Sequence, residues 1–527
     1  MDSVTAPTEL RIPDNILPDT MALHGRWTPE RTAIVCGESR LDWATFVRSA
    51  DRVANGLVAL GLRPGDRVAT LLGNSAETLV VMAGALRAGA VLVPLSTMLT
   101  STILARMLAD AAPAAFFVEP PWLDDFVSIE GGPSSLRPGG RIVLRGAAPG
   151  WTGYDDWLAG QPDGDPGVAI APNQDFNIIY SSGTTGEPKG IVHTHAARYN
   201  FASARITDFR IERRSVALVT TPLYHNGSFM LLLPSLLAGA TLVVMPKYTP
   251  GDWLDLVERE RCTHSFMVPT QYVRLTEQPD FASRDLRSLQ MALTAGAAIA
   301  RDVKMRMLDV LGDCFMELYG ATEGFSTTIR ADEMRARPDS VGRPILSVDI
   351  RLIGPGGGAV PDGEVGEIAG HSNYLMRGYH NRPDMTSAAI WQAPDGRTFY
   401  RSGDLGRVDE AGYLRIVGRS KDMIISGGIN IYAGDLEHAL LDHPAIVDAA
   451  VVAEADARWG EVPVAFVVLA AGDYEGVAAI LDAVNGRLGK FQRIARLVTL
   501  DSLPRNAMGK LLKDDLRQLL QQTGIHL

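Results

Sequence analysis

The stretch YSSGTTGEPKG, residues 180–190, combines residue types that suit phosphate binding. Its glycines let the backbone approach a ligand closely, its hydroxyl side chains donate hydrogen bonds, and Lys189 adds a positive charge. The pattern G-x-x-x-x-G-K-[ST] is not satisfied, because Lys189 follows Pro188 and precedes Gly190. The residues therefore predict a phosphate loop of another kind. A glycine-rich surface turn is the alternative for this stretch taken alone.

Further short patterns follow along the chain, and each is weak by itself. They are LYHNGS (223–228), TAGAAI (294–299), YGATE (319–323), YRSGDL (400–405), GRSKD (418–422) and PRNAMGK (504–510). In this order and at these separations they resemble the adenylate-forming (ANL) superfamily, specifically its acyl-CoA synthetase branch of AMP-dependent synthetases and ligases. The resemblance extends from LDWATF (41–46) to Lys510 and so covers nearly the whole chain.

The resemblance implies that the chain binds ATP. Tyr319 would stack on adenine, Thr322 would touch phosphate, and Asp404 would accept hydrogen bonds from both ribose hydroxyls, a task suited to two carboxylate oxygens. Turn stabilisation is the alternative role for Asp404. The residues implied for ATP and CoA are Ser181, Ser182, Gly183, Thr184, Thr185, Gly186, Lys189, Gly296, Ala297, Ala298, Tyr319, Gly320, Ala321, Thr322, Asp404, Arg419 and Gly428.

The resemblance also implies a small set of catalytic residues. Lys510 would complete the site for adenylation, Glu323 would hold Mg²⁺ together with Thr184, and His225 would gate the acyl pocket. A hard cation prefers carboxylate oxygen and bridges phosphates, which suits Glu323. The alternatives are a surface carboxylate, a solvated lysine and a structural histidine. His193 and His195 receive no role, since no carboxylate accompanies them in a metal-binding pattern.

The expected reaction has two steps. The acid first attacks ATP to give acyl-AMP and pyrophosphate, and the thiol of CoA then takes the acyl group. In the family a small C-terminal domain rotates about a hinge between these steps, and Lys421 occupies the hinge position. Gly428 would line the pantetheine passage, because a glycine suits a narrow space beside backbone. A tight turn at Gly427 and Gly428 is the alternative.

The residues expected to line the acyl pocket indicate which class of acid is bound. The residues assigned to it are His225, Asn226, Gly227, Phe229, Met230, Met267, Gly320 and Ala321. Most are apolar, which favours an uncharged aliphatic, aromatic or polycyclic acid. No basic residue among them would pair with a second carboxylate, so dicarboxylates are disfavoured.

The segment IISGGINIYAGDLE (424–437) favours CoA as acceptor, because it is closer to the acyl-CoA synthetase form than to that of peptide synthetases. Ala433 stands where the family has proline and Gly434 follows it, so we expect a looser turn. The main alternative is an acyl-AMP ligase that loads the phosphopantetheine of a carrier protein, and a light-emitting oxidation is a distant third. An alternative of another class is a non-catalytic protein that binds nucleotide or acyl-adenylate.

Composition limits the partners. The 527 residues carry a net charge of −11 with both signs interspersed, so no basic face for nucleic acid is indicated. Cys36, Cys262 and Cys314 are scattered, which suits a reducing cytoplasm. The N-terminal residues show no signal peptide, and Pro234 and Gly239 interrupt the most apolar stretch, so no transmembrane segment is expected. Formation of a homodimer is left open.

The elements that must position these residues follow from length and pattern. A chain of this length exceeds what one core supports, so several domains are expected. MAGALRAGAVLVPL (82–95) and the stretch 229–246 each predict a helix, a glycine cap and a buried parallel strand. Short segments from Val341 predict β-hairpins. We expect an α/β N-terminal domain (1–418) of two βα-type subdomains plus a small β-barrel-like subdomain, then a mobile α+β C-terminal domain (419–527).

Overall fold

The computed structural model describes residues 15–123, 135–181, 189–361, 363–427, 429–456, 458–470, 472, 476–489, 492–505 and 509–523. In this part of the chain the helices are α1 (Leu17–Trp27), α2 (Trp43–Ala59), α3 (Ala76–Arg87), α4 (Ser101–Ala111), α5 (Tyr154–Leu158), α6 (His195–Phe209), α7 (Phe229–Ala238), α8 (Pro250–Glu260), α9 (Pro269–Thr276), α10 (Arg301–Leu311), α11 (Ala331–Ala336), α12 (Pro383–Ala388), α13 (Ala433–Leu441), α14 (Val477–Asn485) and α15 (Lys513–Thr523).

The strands of the same part of the chain are β1 (Thr32–Cys36), β2 (Ser39–Asp42), β3 (Arg67–Leu71), β4 (Val91–Pro94), β5 (Ala115–Val118), β6 (Arg141–Val143), β7 (Thr152–Gly153), β8 (Asp175–Ser181), β9 (Lys189–Thr194), β10 (Val216–Val219), β11 (Thr241–Val244), β12 (His264–Met267), β13 (Met291–Thr294), β14 (Phe315–Ala321), β15 (Phe325–Arg330), β16 (Arg343–Pro344), β17 (Val348–Ile353), β18 (Gly366–Ser372), β19 (Gly378–Tyr379), β20 (Ile390–Gln392), β21 (Thr398–Val408), β22 (Leu414–Arg419), β23 (Ile424–Ser426), β24 (Ile429–Ile431), β25 (Ile446–Asp456), β26 (Gly460–Leu469) and β27 (Arg496–Thr499). Their contacts divide the chain into two compact units. The first contains Met1–Lys247 and Asn373–Thr386, and the second contains Tyr248–Ser372 and Ser387–Leu527.

The described strands of the first unit lie in largely parallel sheets. One has the order β19-β9-β8-β4-β3-β5-β6-β7, in which β3 is parallel to both β4 and β5. In the other, β10, β11 and β1 are parallel neighbours and β2 is antiparallel to β1. Parallel neighbours joined through helices are the βα arrangement that the sequence predicts.

The two helix–glycine–strand segments form as predicted. Helix α3 is followed by Gly89, whose φ is 70°, and then by the fully buried strand β4. Helix α7 ends at a cap on Gly239, whose φ is 72°, and β11 follows. A positive φ of this size favours glycine, which explains why both helices stop there. The apolar stretch 229–246 is therefore a helix, a turn and a strand.

No described helix has the length and apolar character needed to cross a membrane. Helix α7, the most apolar candidate in the sequence, ends at Ala238 and has Pro234 in its interior. Residues 1–14, which include most of the N-terminal stretch considered for a signal peptide, lie outside the described residues.

The second unit begins with a parallel run of strands. Strands β12, β13 and β14 are parallel neighbours, and β14 then turns into the antiparallel strand β15. Ligands of parallel sheets bind beyond the carboxyl ends of the strands, where the connecting loops gather. The TAGAAI and YGATE patterns, which begin in the last residues of β13 and β14 and continue beyond them, therefore share one edge of this sheet.

The predicted hairpin region of the second unit is an antiparallel sheet. Its strand order is β17-β18-β21-β20, and β22 pairs with β21. The long strand β21 carries Asp404, and the neighbouring strand β22 carries Arg419 directly opposite it. Pairing of these two strands therefore brings two residues of the predicted nucleotide site together.

The C-terminal residues form an α+β arrangement, as predicted. Strands in the order β24-β23-β26-β25, with β27 beside β26, make a sheet. Val451 faces a core that contains residues of α13 and α14, whereas its neighbours Ala450 and Val452 face a second core that contains residues of α15. Alternation along β25 thus buries both faces of the sheet. A domain boundary at 418/419 would fall near the end of β22, and it stays a prediction.

Candidate active site

Asp404 is the centre of a polar cluster in the second unit. Its Oδ2 accepts a hydrogen bond from the Tyr319 hydroxyl at 2.7 Å, and its Oδ1 lies 3.1 Å from Nε of Arg419. Burial, and then the nearby Asp404 carboxylate, raise the pKa of Tyr319 well above its usual range, so the hydroxyl remains a donor. The structure therefore joins three predicted nucleotide residues that are far apart in sequence.

Small residues lie at the carboxyl ends of the parallel strands β13 and β14, and β14 is the strand that carries Tyr319. Gly296 and Ala298 are exposed after β13, and the φ of Gly296 is 96°. Gly320 has a different constraint, because a Cβ at this position would lie 2.4 Å from the carbonyl oxygen of Phe325. The small size of Gly320 is thus required by the β14–β15 hairpin itself. Ala297, Ala321, Thr322 and Glu323 are partly exposed, whereas Met267 at the end of β12 is fully buried.

Lys510 lies in the electrostatic field of the Asp404 cluster. Burial is the main cause that lowers the pKa of Lys510; Arg419 also lowers it, and Asp404 opposes them. Lys421 and Glu323 contribute smaller effects of opposite sign. The structure thus brings the predicted catalytic lysine near both the predicted ribose-binding and the predicted metal-binding residue.

The turn that carries Lys510 is held on both sides, which the sequence did not indicate. Arg505 donates a hydrogen bond from Nη1 to the carbonyl oxygen of Gly509 at 2.9 Å and pairs with Asp448 at 2.7 Å. Gly509 has a φ of 76°, and a Cβ there would lie 2.8 Å from Cγ2 of Thr270 on α9. A glycine therefore lets this turn pack closely against α9.

The predicted phosphate loop connects two antiparallel strands of the first unit. Ser181 ends β8, Lys189 begins β9, and the two residues are paired in register. The Lys189 ammonium lies 5.7 Å from the ring centroid of Tyr379. This hairpin setting agrees with the prediction that the loop differs from a strand-to-helix P-loop. Ser182, Gly183, Thr184, Thr185 and Gly186 lie outside the described residues.

His225, in the first unit, has a neutral ring that accepts a hydrogen bond. Its Nδ1 accepts the backbone N–H of Gly227 at 3.1 Å, which leaves the ring proton on Nε2. Burial lowers the pKa of His225 to about 4. The adjacent Asn226 and Gly227 are partly exposed, whereas Phe229 and Met230, the first residues of α7, are buried.

Sequence reasoning missed a basic residue beside this segment. Arg198 on α6 is fully buried and donates from Nη2 to Oδ1 of Asn226 at 2.9 Å. No basic residue stands among the predicted pocket residues themselves, but Arg198 contacts one of them, Asn226, from a neighbouring helix. The indication in the sequence was weak. Arg198 and Arg205 stand seven residues apart among apolar residues, so they share one helix face.

The predicted hinge residue is in contact with α15. Lys421 Nζ lies 3.5 Å from Asp514 Oδ2, and its neighbour Asp422 pairs with Arg517. Gly427 has a φ of 57°, and a Cβ there would meet the Trp459 ring at 2.9 Å. Gly428 lies outside the described residues, so its position in a pantetheine passage remains a prediction.

Glu323 suits Mg²⁺ by its chemistry. Mg²⁺ is usually held by one or two carboxylates together with substrate phosphates, so a single carboxylate near the nucleotide cluster fits this requirement. No cluster of three or more His, Cys, Asp or Glu side chains suitable for a metal was found among the described residues. His193 and His195 are both buried.

The chain belongs to the AMP-binding enzyme family. It matches that family over residues 23–380 and the AMP-binding enzyme C-terminal domain over residues 435–510.

Relatives and solved structures are similar over nearly their full length. The chain is 35% identical to a feruloyl-CoA synthase from Amycolatopsis sp, covering 94% of this chain and 96% of that protein. It is 34% identical to an indoleacetate–CoA ligase from Aromatoleum aromaticum, with the same two coverages. The crystal structure of ATP-bound MatB from Rhodopseudomonas palustris superposes with a TM-score of 0.86 at 30% identity, covering 96% of this chain and 99% of that chain.

Proposed function

We propose that this protein is an ATP-dependent acid–thiol ligase. It converts a carboxylic acid and ATP to acyl-AMP and pyrophosphate, and then acyl-AMP and CoA to acyl-CoA and AMP. The observation that carries the proposal is the Asp404 cluster, with Tyr319 and Arg419 bonded to the carboxylate and Lys510 beside them. The CoA ligase names of two full-length relatives support the same reaction.

In the first step a carboxylate oxygen attacks the α-phosphorus of ATP and pyrophosphate leaves, so no protein nucleophile is required. Negative charge builds on the phosphoryl oxygens during this step. Lys510 stabilises that charge as a preorganised cation, because its turn is already fixed by Arg505 and by packing on Thr270. Mg²⁺, held by Glu323 and Thr184, would supply further charge neutralisation at the phosphates.

The nucleotide is oriented by residues that are paired before it binds. Asp404 accepts the ribose hydroxyls while Tyr319 and Arg419 keep its carboxylate in place. The small residues Gly296, Ala297 and Ala298, of which the first and last are exposed, would leave room for the base. By the family resemblance we assign phosphate binding to the hydroxyl residues, the glycines and Lys189 of the stretch 181–189.

In the second step the CoA thiol gives its proton to water, and the thiolate attacks the acyl carbonyl carbon. The bond between this carbon and the phosphate oxygen breaks, and AMP leaves. We assign the change between the steps to rotation of residues 419–527 about Lys421, which removes Lys510 and brings in the face with Gly428. His225 separates the acyl site from the adenylate as a neutral ring, which its lowered pKa supports.

For the acid we propose an aromatic carboxylic acid, since both relatives are named for acids with a ring. Acyl specificity is assigned to residues 225–230 and to Met267, Gly320 and Ala321. We place the protein in the cytoplasm, which cell fractionation would check. Light scattering of the purified protein would settle whether it forms a homodimer.

The proposal is tested by ATP–pyrophosphate exchange over a panel of acids, followed by addition of CoA. Acid-dependent exchange, then formation of AMP and an acyl-CoA thioester, is the expected result. Exchange without consumption of CoA would support a carrier-protein acceptor instead. ATP binding in calorimetry without exchange for any acid would support the non-catalytic nucleotide-binding alternative and reject the ligase.

A further inference from the structure

Arg198 has an unusual set of partners for a buried cation. Its side chain is 1% exposed, and its Nε donates to Oδ1 of Asn177 at 2.7 Å. Nη2 donates to Asn226, while Nη1 is buried without a hydrogen-bond partner among the described residues. The rings of Phe201 and Phe229 flank the guanidinium at 5.3 and 5.1 Å. The group is therefore fixed in place but not fully satisfied.

The charge of Arg198 is also not balanced locally. Burial lowers the pKa of Arg198 to about 9, and Arg205 on the same helix lowers it in the same direction. The guanidinium is therefore still protonated at neutral pH, and no carboxylate among the described residues acts on its pKa. Buried cations are normally paired with an acid, because an unpaired buried charge is costly. The bonded amides and aromatic rings supply only partial compensation.

Arg198 also decides how Asn226 is oriented. A guanidinium has no acceptor, so the side-chain oxygen of Asn226 must face Arg198. The Asn226 amide nitrogen must then point away from Arg198 and is presented as a donor polarised by the cation behind it. Asn226 is partly exposed and stands between His225 and Gly227, in the segment assigned to acyl recognition.

We infer that Arg198 is a positioning residue, which through Asn226 selects acids bearing an oxygen substituent that accepts a hydrogen bond. The inference rests on the proposed ligase function and narrows its substrate class. A ketone, phenol or second carboxylate would each supply the oxygen, and the uncompensated charge favours an anionic one most. The proposed acid then carries a polar substituent away from its reacting carboxylate.

The test uses wild-type protein and acids in matched pairs that differ only by the oxygen substituent. Pairs are hexanoate with 5-oxohexanoate, cinnamate with 4-hydroxycinnamate, and pentanoate with glutarate. We expect the preferred acid to carry the oxygen and to exceed its partner in kcat/KM by at least about tenfold. The glutarate arm separates an anionic oxygen from a neutral one. A hydrocarbon acid that outperforms every oxygenated partner would overturn the inference while leaving the ligase intact.

Arg198→Met then tests the mechanism of selection. The kcat/KM ratio within the preferred pair should fall to within about threefold of one, through a higher KM for the oxygenated acid, with the KM for ATP unchanged. Asn226→Leu should give the same collapse, and Arg198→Lys should restore part of the ratio because it keeps a cationic donor. A ratio that survives in folded Arg198→Met would overturn the inference.

Arg205→Met is the matched control. Arg205 is also a fully buried cation on α6, and its guanidinium lies 3.4 Å from the centroid of the Phe201 ring, which Arg198 also contacts. Its loss should lower thermal stability without changing the acid ratio. If Arg205→Met abolished the ratio as fully as Arg198→Met, general loosening of α6 would explain both results. Absence of pyrophosphate exchange with any acid would instead reject the ligase function itself.

Discussion

The Asp404 cluster and the surroundings of α6 differ in whether their polar groups have hydrogen-bond partners. In the second unit both oxygens of Asp404 are engaged, one by Tyr319 and one by Arg419. In the first unit Nη1 of Arg198 and both ring nitrogens of His195 are buried without hydrogen-bond partners among the described residues. A paired cluster is organised for one fixed ligand, whereas an unsatisfied group gains most from a ligand that supplies what is missing.

This difference matches the two tasks of the proposed ligase. The nucleotide is always ATP, so its residues can be fixed in advance. The acid is the substrate that varies, and the side chains that select it do not belong to a short sequence motif.

Lys510→Ala should reduce the rate of adenylation by about 10²–10³, which is the usual cost of removing one preorganised charge donor. Pyrophosphate release in a single turnover measures this step. Lys247→Ala removes an exposed lysine of the first unit and serves as the control, with no expected change. A loss below about threefold in folded Lys510→Ala would remove Lys510 from the catalytic residues.

Asp404→Ala should raise the KM for ATP by about tenfold to a hundredfold, because two hydrogen bonds to an ionised acceptor are lost at about 1.5–3 kcal/mol each before water compensates. The KM for the acid should change little. Tyr319→Phe keeps the ring and removes only the hydroxyl that donates to Asp404, so its effect on ATP should be smaller. Equal losses for ATP and acid would indicate a misfolded turn instead.

Gly227→Phe should narrow the range of accepted acids. A bulky side chain beside Asn226 would exclude the widest acids, and we expect their kcat/KM to fall by about tenfold relative to acetate and propionate. The comparison uses the same acid panel for wild type and variant, with circular dichroism as the folding control. An unchanged acid profile would show that Gly227 does not line the acyl pocket.

Substitution of His195 should have the smallest effect on turnover, but it should change the free energy of unfolding measurably. Burial lowers the pKa of His195 to about 4, below its usual 6.5. Between pH 4 and pH 6.5 His195 is therefore protonated in the unfolded chain but neutral in the folded chain. The free energy of unfolding is highest above pH 6.5 and falls as the pH drops toward 4. Between pH 7 and 5 this residue should account for about 2 kcal/mol.

Urea unfolding of wild type and His195→Gln at both pH values checks this. The wild type should lose more free energy of unfolding between pH 7 and pH 5 than the variant does. Parallel losses in the two proteins would mean that His195 does not titrate in this range, and the contrast between the two regions would then rest on Arg198 alone.

Local features of the fold were predictable from the sequence because they depend on neighbouring residues. Gly89 and Gly239 follow helices that must end, and both adopt the positive φ that marks such an end. The contact between Tyr319 and Asp404 could not be derived from local pattern, since it joins two different sheets. The family resemblance assigned both residues to the nucleotide but did not predict that they touch each other. Arg198 was missed for a similar reason, because its partner Asn226 lies on another element.

The expectation of a loose turn at Ala433 was wrong. Ala433 is buried and begins α13, and a Cβ at Gly434 would lie 2.6 Å from the carbonyl oxygen of Val417 on β22. Gly434 is thus required by close packing against a strand, which no local signal reveals. The departure from the family motif at Ala433 predicted a looser turn, whereas contact with β22 restricts the backbone there.

The most direct test of the two-step account supplies acyl-AMP and CoA to Lys510→Ala and to Gly428→Trp. Lys510→Ala should convert acyl-AMP to acyl-CoA at a near wild-type rate despite its defect in adenylation. Gly428→Trp should do the reverse, releasing pyrophosphate in a single turnover while thioester formation fails. If Lys510→Ala slowed thioester formation as much as it slowed adenylation, the assignment of Lys510 to the first step alone would be contradicted.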